Sequence, residues 1–247
     1  MNLDLTGKLL VVTGGSGLLG SLFVKTIRNA GGRCINADIS CDKRLSNDEY
    51  SLDITSEASV TSFIKLLESK DLKIDGWVNN AYPRTSDWGA KVEDIPYASW
   101  QKNVDMHLNG YFLCCQKVLE HMRKNGSGSL VNLGSIYGVL GPDFSVYAGT
   151  PMTMPAGYAA IKGGITNLSR YLAAYYGPFG VRVNTLSPGG IFDHQPASFV
   201  EAHEAKVPLR RMGTPADIAP VLLSLLSEAS ASVTGQNLIL HGARTAA

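Results

Sequence analysis

Charge of one sign is never in excess in this 247-residue chain: 22 Lys and Arg stand against 21 Asp and Glu, a formal net charge of +1. Without a basic field to attract a polyanion, nucleic acid is not expected as a partner. Only four cysteines occur, Cys34, Cys41, Cys114 and Cys115, too few for a disulfide scaffold and lacking a C-x-x-C spacing. Free thiols in a reducing, cytoplasmic setting are expected, with Cys114-Cys115 packed inside an apolar helical run. The five histidines, at 107, 121, 194, 203 and 241, form no H-E-x-x-H or comparable pattern, so no metal is predicted. No run approaches the ~18 apolar residues of a bilayer span, and Met1 to Lys8 carries no apolar signal core. Neither a membrane partner nor export is expected.

What is present is the pattern of a folded α/β chain, 45% hydrophobic and 17% charged, of a length that suits one domain spanning 1–247. Runs rich in Val and Ile, at Leu9 to Thr13, Arg33 to Asp38, Gly76 to Asn79, Ser129 to Leu133, Val181 to Leu186 and Asn237 to Leu240, read as strands. Helical stretches fall between them, near Leu18 to Ala30, Glu57 to Ser69, Tyr97 to Lys124, Gly157 to Tyr176 and Pro215 to Ser227. The alternation predicts a parallel, doubly wound sheet of Rossmann type. Consecutive apolar residues such as Leu9-Leu10-Val11-Val12 require helices on both faces. Gly31-Gly32 stops the first helix; Thr214 and Pro215 supply the N-cap and first position of the last.

The first strand runs directly into Thr13-Gly14-Gly15-Ser16-Gly17-Leu18-Leu19-Gly20 and then a helix. Glycines there let the backbone approach a pyrophosphate, which exposed N–H groups and the positive helix N-terminus stabilise. Asp38 follows Gly20 by 18 residues at the end of the second strand, where its carboxylate would bind the adenosine ribose hydroxyls and repel a 2′-phosphate. The expected cofactor is therefore NAD; Lys43 and Arg44 are the residues that would hold the extra phosphate of NADP.

With the glycine loop, Asn79-Asn80-Ala81, Ser135, Tyr158-Ala-Ala-Ile-Lys162 and Ser187-Pro188-Gly189 in that order, nearly the whole chain resembles the short-chain dehydrogenase/reductase family, single-domain type. The resemblance implies an oxidoreductase in which Gly14, Ser16, Gly17, Leu19 and Gly20 hold the pyrophosphate. It further implies Asp53, Ile54, Asn80 and Ala81 beside the adenine, and Pro188, Gly189 and Ile191 beside the nicotinamide. Two departures stand out. Leu18 occupies a position where the family usually has glycine, so the loop reads T-G-x-x-G-x-x-G. His107, in His107-Leu108-Asn109-Gly110, replaces the family's active-site Asn; Asn109 cannot substitute, being about 200° further round the helix.

Tyr158 and Lys162 are four apart, about 40° on a helix, so both side chains share one face. A phenol of pKa about 10 is a poor base at neutral pH. An ammonium at ~4 Å is worth up to ~4 kcal/mol at an effective dielectric near 20, nearly three pKa units, enough to make a usable phenolate. Tyr158 is then expected to move the alcohol proton, with Lys162 lowering its pKa and reaching the cofactor, Ser135 steadying the substrate oxygen, and His107 as the fourth catalytic position. Tyr147 is a rival base, but Pro151 stands where its Lys would be, so it reads as pocket wall.

Residues 149–156 lengthen the spacing between Ser135 and Tyr158 and form a loop beside the chemistry, with Met152 and Met154 packing it. Phe192 to Val207, with a short helix over Ala197 to Ala205, reads as a substrate lid. Asp193 stands where the family often has Thr near the cofactor. Asn80 to Arg84, Ser135 to Gly138, Met152 to Pro155 and Pro188 to Ile191 resemble flagellin-modification oxidoreductases of bacterial surface-glycan pathways. That narrower resemblance implies a small, sugar-like or phosphorylated polyol substrate, contacted by Tyr82, Arg84, Tyr137, His194 and Gln195. Two other readings stay open: a nucleotide-binding regulator with impaired catalysis, and a carbonyl reductase of non-sugar metabolites. The family also implies a homo-oligomer, tetramer or dimer, built on the 97–124 and 157–176 helices.

Overall fold

The computed structural model describes residues 3–42, 45 and 47–245. Lys43 and Arg44, the candidates for a 2′-phosphate, lie outside the described residues. Seven parallel strands, β1 (Leu9–Thr13), β2 (Arg33–Ala37), β3 (Glu49–Tyr50), β4 (Gly76–Asn79), β5 (Gly128–Leu133), β6 (Val181–Pro188) and β7 (Asn237–Leu240), line up in the order β3-β2-β1-β4-β5-β6-β7. Seven α-helices connect or follow them: α1 (Leu18–Asn29), α2 (Glu57–Ser69), α3 (Tyr97–Val104), α4 (Gly110–Asn125), α5 (Ala156–Tyr176), α6 (Ala197–Ala205) and α7 (Pro215–Leu226). The order reverses between β1 and β4, and their carboxyl ends open a crevice at that switch point, where α/β sheets bind ligands.

Each face of the sheet carries its own core, which explains the unbroken apolar strand sequences. Leu9 and Val11 point to the side of α2, α4 and α5, among Phe63, Leu67, Trp77, Tyr111, Leu119 and Ile165. Leu10 and Val12 point to α1 and α7, among Phe23, Ile27, Val131, Leu222 and Leu225. A buried side chain of this size contributes roughly 1.5–3 kcal/mol. Ser56 caps α2 by accepting from the Ser59 N–H at 3.3 Å, and Thr214 with Asp217 forms a capping box ahead of Pro215 in α7. Gly31, at φ +83°, supplies the left-handed turn that ends the first helix.

Two differences from the sequence reading have local causes. β3 is a two-residue strand, too short to carry a periodicity. The single helix expected from Tyr97 to Lys124 is instead α3 and α4 joined by a π-helical turn, Asp105–Asn109. The wider turn buries His107 while Asn109 stays outside and donates to Asp105. No helix among the described residues is long and apolar enough to cross a membrane. The four cysteines are free thiols, and burial pushes Cys34 and Cys115 up to about 12, so they pack rather than react.

Candidate active site

The loop after β1 is shaped by contacts that exclude a side chain. Gly14 sits at φ +63°, and a Cβ there would come within 2.7 Å of the Ala81 backbone. At Gly20 a Cβ would lie 2.1 Å from the Gly14 carbonyl oxygen, so α1 can start this close to the loop only with glycine. Gly17, by contrast, would meet nothing nearer than 3.4 Å. Leu18, the departure from the family loop, begins α1 with its side chain 47% exposed and does not intrude. Leu19 is half-buried and packs toward the α1 and α7 side.

Asn80 fastens this loop to β4. Its Nδ2 donates to the carbonyls of Thr13 (3.1 Å) and Gly14 (2.9 Å), while the N–H groups of Asn80 and Ala81 both donate to Thr13 Oγ1. Asp38 faces the same loop from the end of β2: Oδ2 accepts the Ser16 N–H at 3.0 Å, and Oδ1 accepts from Ser40. Burial works against its charge, but these hydrogen bonds outweigh it and hold the carboxyl below its ordinary value. Asp53 accepts from Thr55, and Ile54 is buried beneath Gly110, where a Cβ would meet the Ile54 carbonyl at 3.1 Å. An ionised acceptor at the second strand, a side-chain-free loop and a helix N-terminus together fit a dinucleotide.

Beside this cradle, Ser135, Tyr158, Lys162 and His107 converge from four elements. Ser135 follows β5 in extended backbone, and its Oγ accepts the Tyr137 N–H at 3.2 Å, leaving its own proton for another acceptor. Tyr158 and Lys162 project from the first turns of α5, as their spacing requires. Gly138 permits that closeness, since a Cβ there would meet the Lys162 carbonyl at 2.7 Å. Lys162 Nζ donates to the Leu133 carbonyl at 2.7 Å and lies 3.4 Å from His107 Nε2. For that nitrogen to accept, the His107 proton must sit on Nδ1, which has no partner among the described residues.

The electrostatics differ from the sequence expectation. Burial pushes the Tyr158 phenol up to about 12, with Ser135 pulling against it and Tyr82 and Tyr137 adding to it. Burial also brings the Lys162 ammonium down to about 7, and His107, buried and next to that charge, is held well below its usual range. The expected phenolate is thus not the resting form. The lysine is spent on a carbonyl and a histidine, 5.6 Å from the Tyr158 ring centroid, and desolvation disfavours both charges.

Of the expected substrate contacts, three surround this group. The Tyr82 ring meets Tyr158 edge-on at 5.7 Å and His107 at 5.3 Å, with the Arg84 guanidinium 4.9 Å over its other side. Tyr137 is buried next to Ser135. Tyr147 is buried on Phe199, and its phenol is raised by burial and by Tyr137. His194 and Gln195 are not brought into this group. His194 stands exposed at φ +56° against Phe192, and the Gln195 amide is used within its own loop, bonding the Asp193 N–H and the Ile191 carbonyl. Gly189 and Pro188 lie at the end of β6, where the Gly189 N–H donates to Leu240, and Ile191 bridges to Gly213.

Residues 144–154 and α6, distant in sequence, pack on each other as a third, separate core of Val146, Tyr147, Phe199 and Met212, with Met152 and Met154 against it. Trp88 escaped the sequence reading: its indole donates to Tyr82 Oη at 2.6 Å and stacks edge-on with Tyr158 at 6.4 Å. Gly157 makes room for it, since a Cβ there would stand 3.1 Å from the indole. An aromatic in a loop without periodicity gave no signal.

A family described as Enoyl-(Acyl carrier protein) reductase matches residues 26–242. Post-translational flagellin modification protein A of Campylobacter coli is 34% identical over 96% of this chain and 97% of its own length. An NAD-dependent glycerol dehydrogenase of Listeria innocua is 28% identical over 98% of this chain and 95% of its own. Among solved structures, a short chain dehydrogenase of Leptospira borgpetersenii with bound NAD+ superimposes with a TM-score of 0.89 at 35% identity, covering 98% of this chain and 94% of that one.

Proposed function

The chain belongs to the short-chain dehydrogenase/reductase family of oxidoreductases, and from that membership we propose that it is an NAD-dependent enzyme interconverting a secondary alcohol and a carbonyl, with Tyr158 moving the proton. The observation that carries this reading is the convergence of Ser135, Tyr158, Lys162 and His107 beside a glycine cradle faced by an ionised Asp38. The glycine loop would take the pyrophosphate, Asp38 the ribose hydroxyls, Asp53, Ile54, Asn80 and Ala81 the adenine side, and Pro188, Gly189 and Ile191 the nicotinamide side. NAD, when bound, supplies the hydride exchange at the reacting carbon.

The protein's part is the proton. A neutral Tyr158 is the donor that carbonyl reduction needs: its hydroxyl gives its proton to the developing alkoxide while the Ser135 hydroxyl donates to the same oxygen. Lys162, held by the Leu133 carbonyl and His107 at 5.6 Å from the Tyr158 ring centroid, is the nearby positive charge for the phenolate left behind. Alcohol oxidation runs the same transfers backward. His107, buried and neutral, acts on the reaction through Lys162, as a positioning residue.

The substrate we infer is sugar-like. Tyr82, Trp88 and Tyr137 give the flat apolar walls that pack on the C–H face of a hydroxylated ring, Arg84 adds donors at the rim, and the likeness to the C. coli protein supports the choice. The segments 149–156 and 192–207 serve as its cap. Phe112 on α4 and the stacked Tyr171 and Tyr175 on α5 stand exposed and support pairing of copies through those helices.

An NAD-linked absorbance screen over sugar phosphates, sugar nucleotides and simple alcohols tests the reading. Turnover is expected on the sugar derivatives, falling about 10²–10⁴-fold in Tyr158→Phe, which still binds NAD. A Tyr158→Phe enzyme as fast as wild type would remove the proton-transfer assignment, and activity confined to hydrophobic alcohols would remove the sugar-like substrate.

A further inference from the structure

Residues 80–91, between β4 and α3, carry neither helix nor strand, yet the loop they form is fastened firmly just ahead of Trp88. Asn103, buried in α3, accepts the Thr85 N–H on Oδ1 at 3.0 Å, and its Nδ2 donates to Thr85 Oγ1 at 2.8 Å and to the Ser99 carbonyl at 2.9 Å. Ser99 Oγ donates to Asp87 Oδ1 at 2.7 Å. Two turn bonds bracket the indole: the Trp88 N–H donates to the Thr85 carbonyl at 3.3 Å and the Ala90 N–H to the Asp87 carbonyl at 3.0 Å. Ordering a loop costs conformational entropy, and here a buried asparagine of α3 offsets that cost and sets where the indole stands.

From that anchor the indole reaches α5 at the residue before the reacting phenol. A Cβ on Gly157 would stand 3.1 Å from the indole ring, and the free space left there between α3 and α5 is about 10 Å³, room for one water at most. The rings of Trp88, Tyr82 and Tyr158 form a triangle with centroid separations of 6.0, 5.7 and 6.4 Å, each pair edge-on, the favoured aromatic geometry. The triangle is tied by one polar contact: Trp88 Nε1 donates to Tyr82 Oη at 2.6 Å. An indole N–H only donates, so the Tyr82 oxygen accepts and its ring is held in place against Tyr158 and, at 5.3 Å, against His107.

We propose that Trp88 is a positioning residue of the reaction: its indole, by direct contact and through Tyr82, clamps the Tyr158 ring in place and limits the water around it. The inference rests on the reading of Tyr158 as the proton-transfer group and adds to it a residue that touches neither the proton nor the hydride. Burial is the largest influence raising the Tyr158 phenol to about 12, and the clamp supplies part of that burial. Removing it admits water, so the phenol falls back toward its ordinary value near 10. The other groups that bear on this proton are Tyr82 with Arg84 over it, Ser135, Tyr137, Lys162 and His107, and the variants below retain them all, together with Tyr111 and Tyr147, which sense the phenol's charge.

The test is a titration of the full chain from about pH 8 to about pH 11, followed by nuclear magnetic resonance of isotope-labelled tyrosine Cζ, with Tyr158→Phe identifying the Tyr158 signal. In wild type that signal is expected to stay neutral across the range. Trp88→Ala should bring its midpoint down by about one pH unit, and Trp88→Phe, which keeps a ring but loses the donor to Tyr82, by a fraction of that. Gly157→Ala displaces the indole without removing it and should move the midpoint in the same direction, so the proposal is still tested if Trp88→Ala does not fold. A Tyr158 signal that stays neutral in folded Trp88→Ala and Gly157→Ala would overturn it. On the alcohol that wild type oxidises fastest in the NAD-linked screen, Trp88→Ala should lose about tenfold in kcat; a change confined to KM would leave Trp88 a substrate wall and equally overturn the proposal. Wild type that neither binds NAD nor oxidises any alcohol would instead fail the underlying reading, while the titration still decides the clamp.

Discussion

Around the glycine loop, polar groups are tied to nearby main chain by short motifs: Asn80 to Thr13 and Gly14, Asp38 to Ser16 and Ser40, Asp53 to Thr55. Across the cleft, residues 144–154 and α6 pack on each other as a small core that includes Met212. The first region is preorganised on the sheet and suits a ligand whose shape never varies. The second is a core of its own, built from apolar side chains of segments distant in sequence. Tyr158, Lys162 and His107 stand where the two meet, which is why burial, rather than one ion pair, governs their protonation.

If the nucleotide side is the rigid partner, Gly20→Ala should have the largest effect. Its Cβ would lie 2.1 Å from the Gly14 carbonyl, backbone against backbone, and a loss of about 3 kcal/mol is expected in denaturant unfolding along with loss of NAD binding. Wild-type stability and NAD titration in that variant would break the comparison.

The junction can be read through pH. Lys162 titrates near 7 folded against 10.5 unfolded. Between those values the unfolded chain keeps a proton that the folded chain has released, so stability rises with pH through this window and falls toward its lower end. Lys162→Met should flatten a rise of about 2 kcal/mol between pH 7 and 9, followed by urea unfolding at the two pH values. An equal slope in both proteins would mean that the buried ammonium is compensated elsewhere.

Phe199→Leu sharpens the contrast from the other side. It loosens the small core under Tyr147 and should cost about 1 kcal/mol, appearing as a severalfold rise in substrate KM with NAD affinity unchanged. Coupled loss of NAD binding would show that the cap is not separable. The smallest effect belongs to Arg211→Ala: its pair with Asp217 is 53% and 33% exposed, and screened pairs of this kind are worth about 0.5 kcal/mol, so the melting temperature should barely move.

The glycine loop, Asp38, the Tyr158–Lys162 spacing and most strand limits were legible because each depends on residues a turn or a few positions apart, where local geometry leaves few options. β1, β4 and β7 begin and end where their apolar runs do. His194 and Gln195 illustrate the opposite case: the narrower resemblance implies both as substrate contacts, yet the loop uses the amide of one and exposes the ring of the other.

Chain chemistry by itself determined the alternation of strands and helices, the cradle and the phenol–amine pair, since backbone conformation and side-chain periodicity are properties of neighbours. Only the tertiary structure decided the protonation of that pair, the inward turn of His107 and the indole edge-on to Tyr158. Those outcomes depend on solvent exclusion and on contacts between segments as far apart as Trp88 and Tyr158 or His107 and Lys162, and neither quantity exists until the chain has folded.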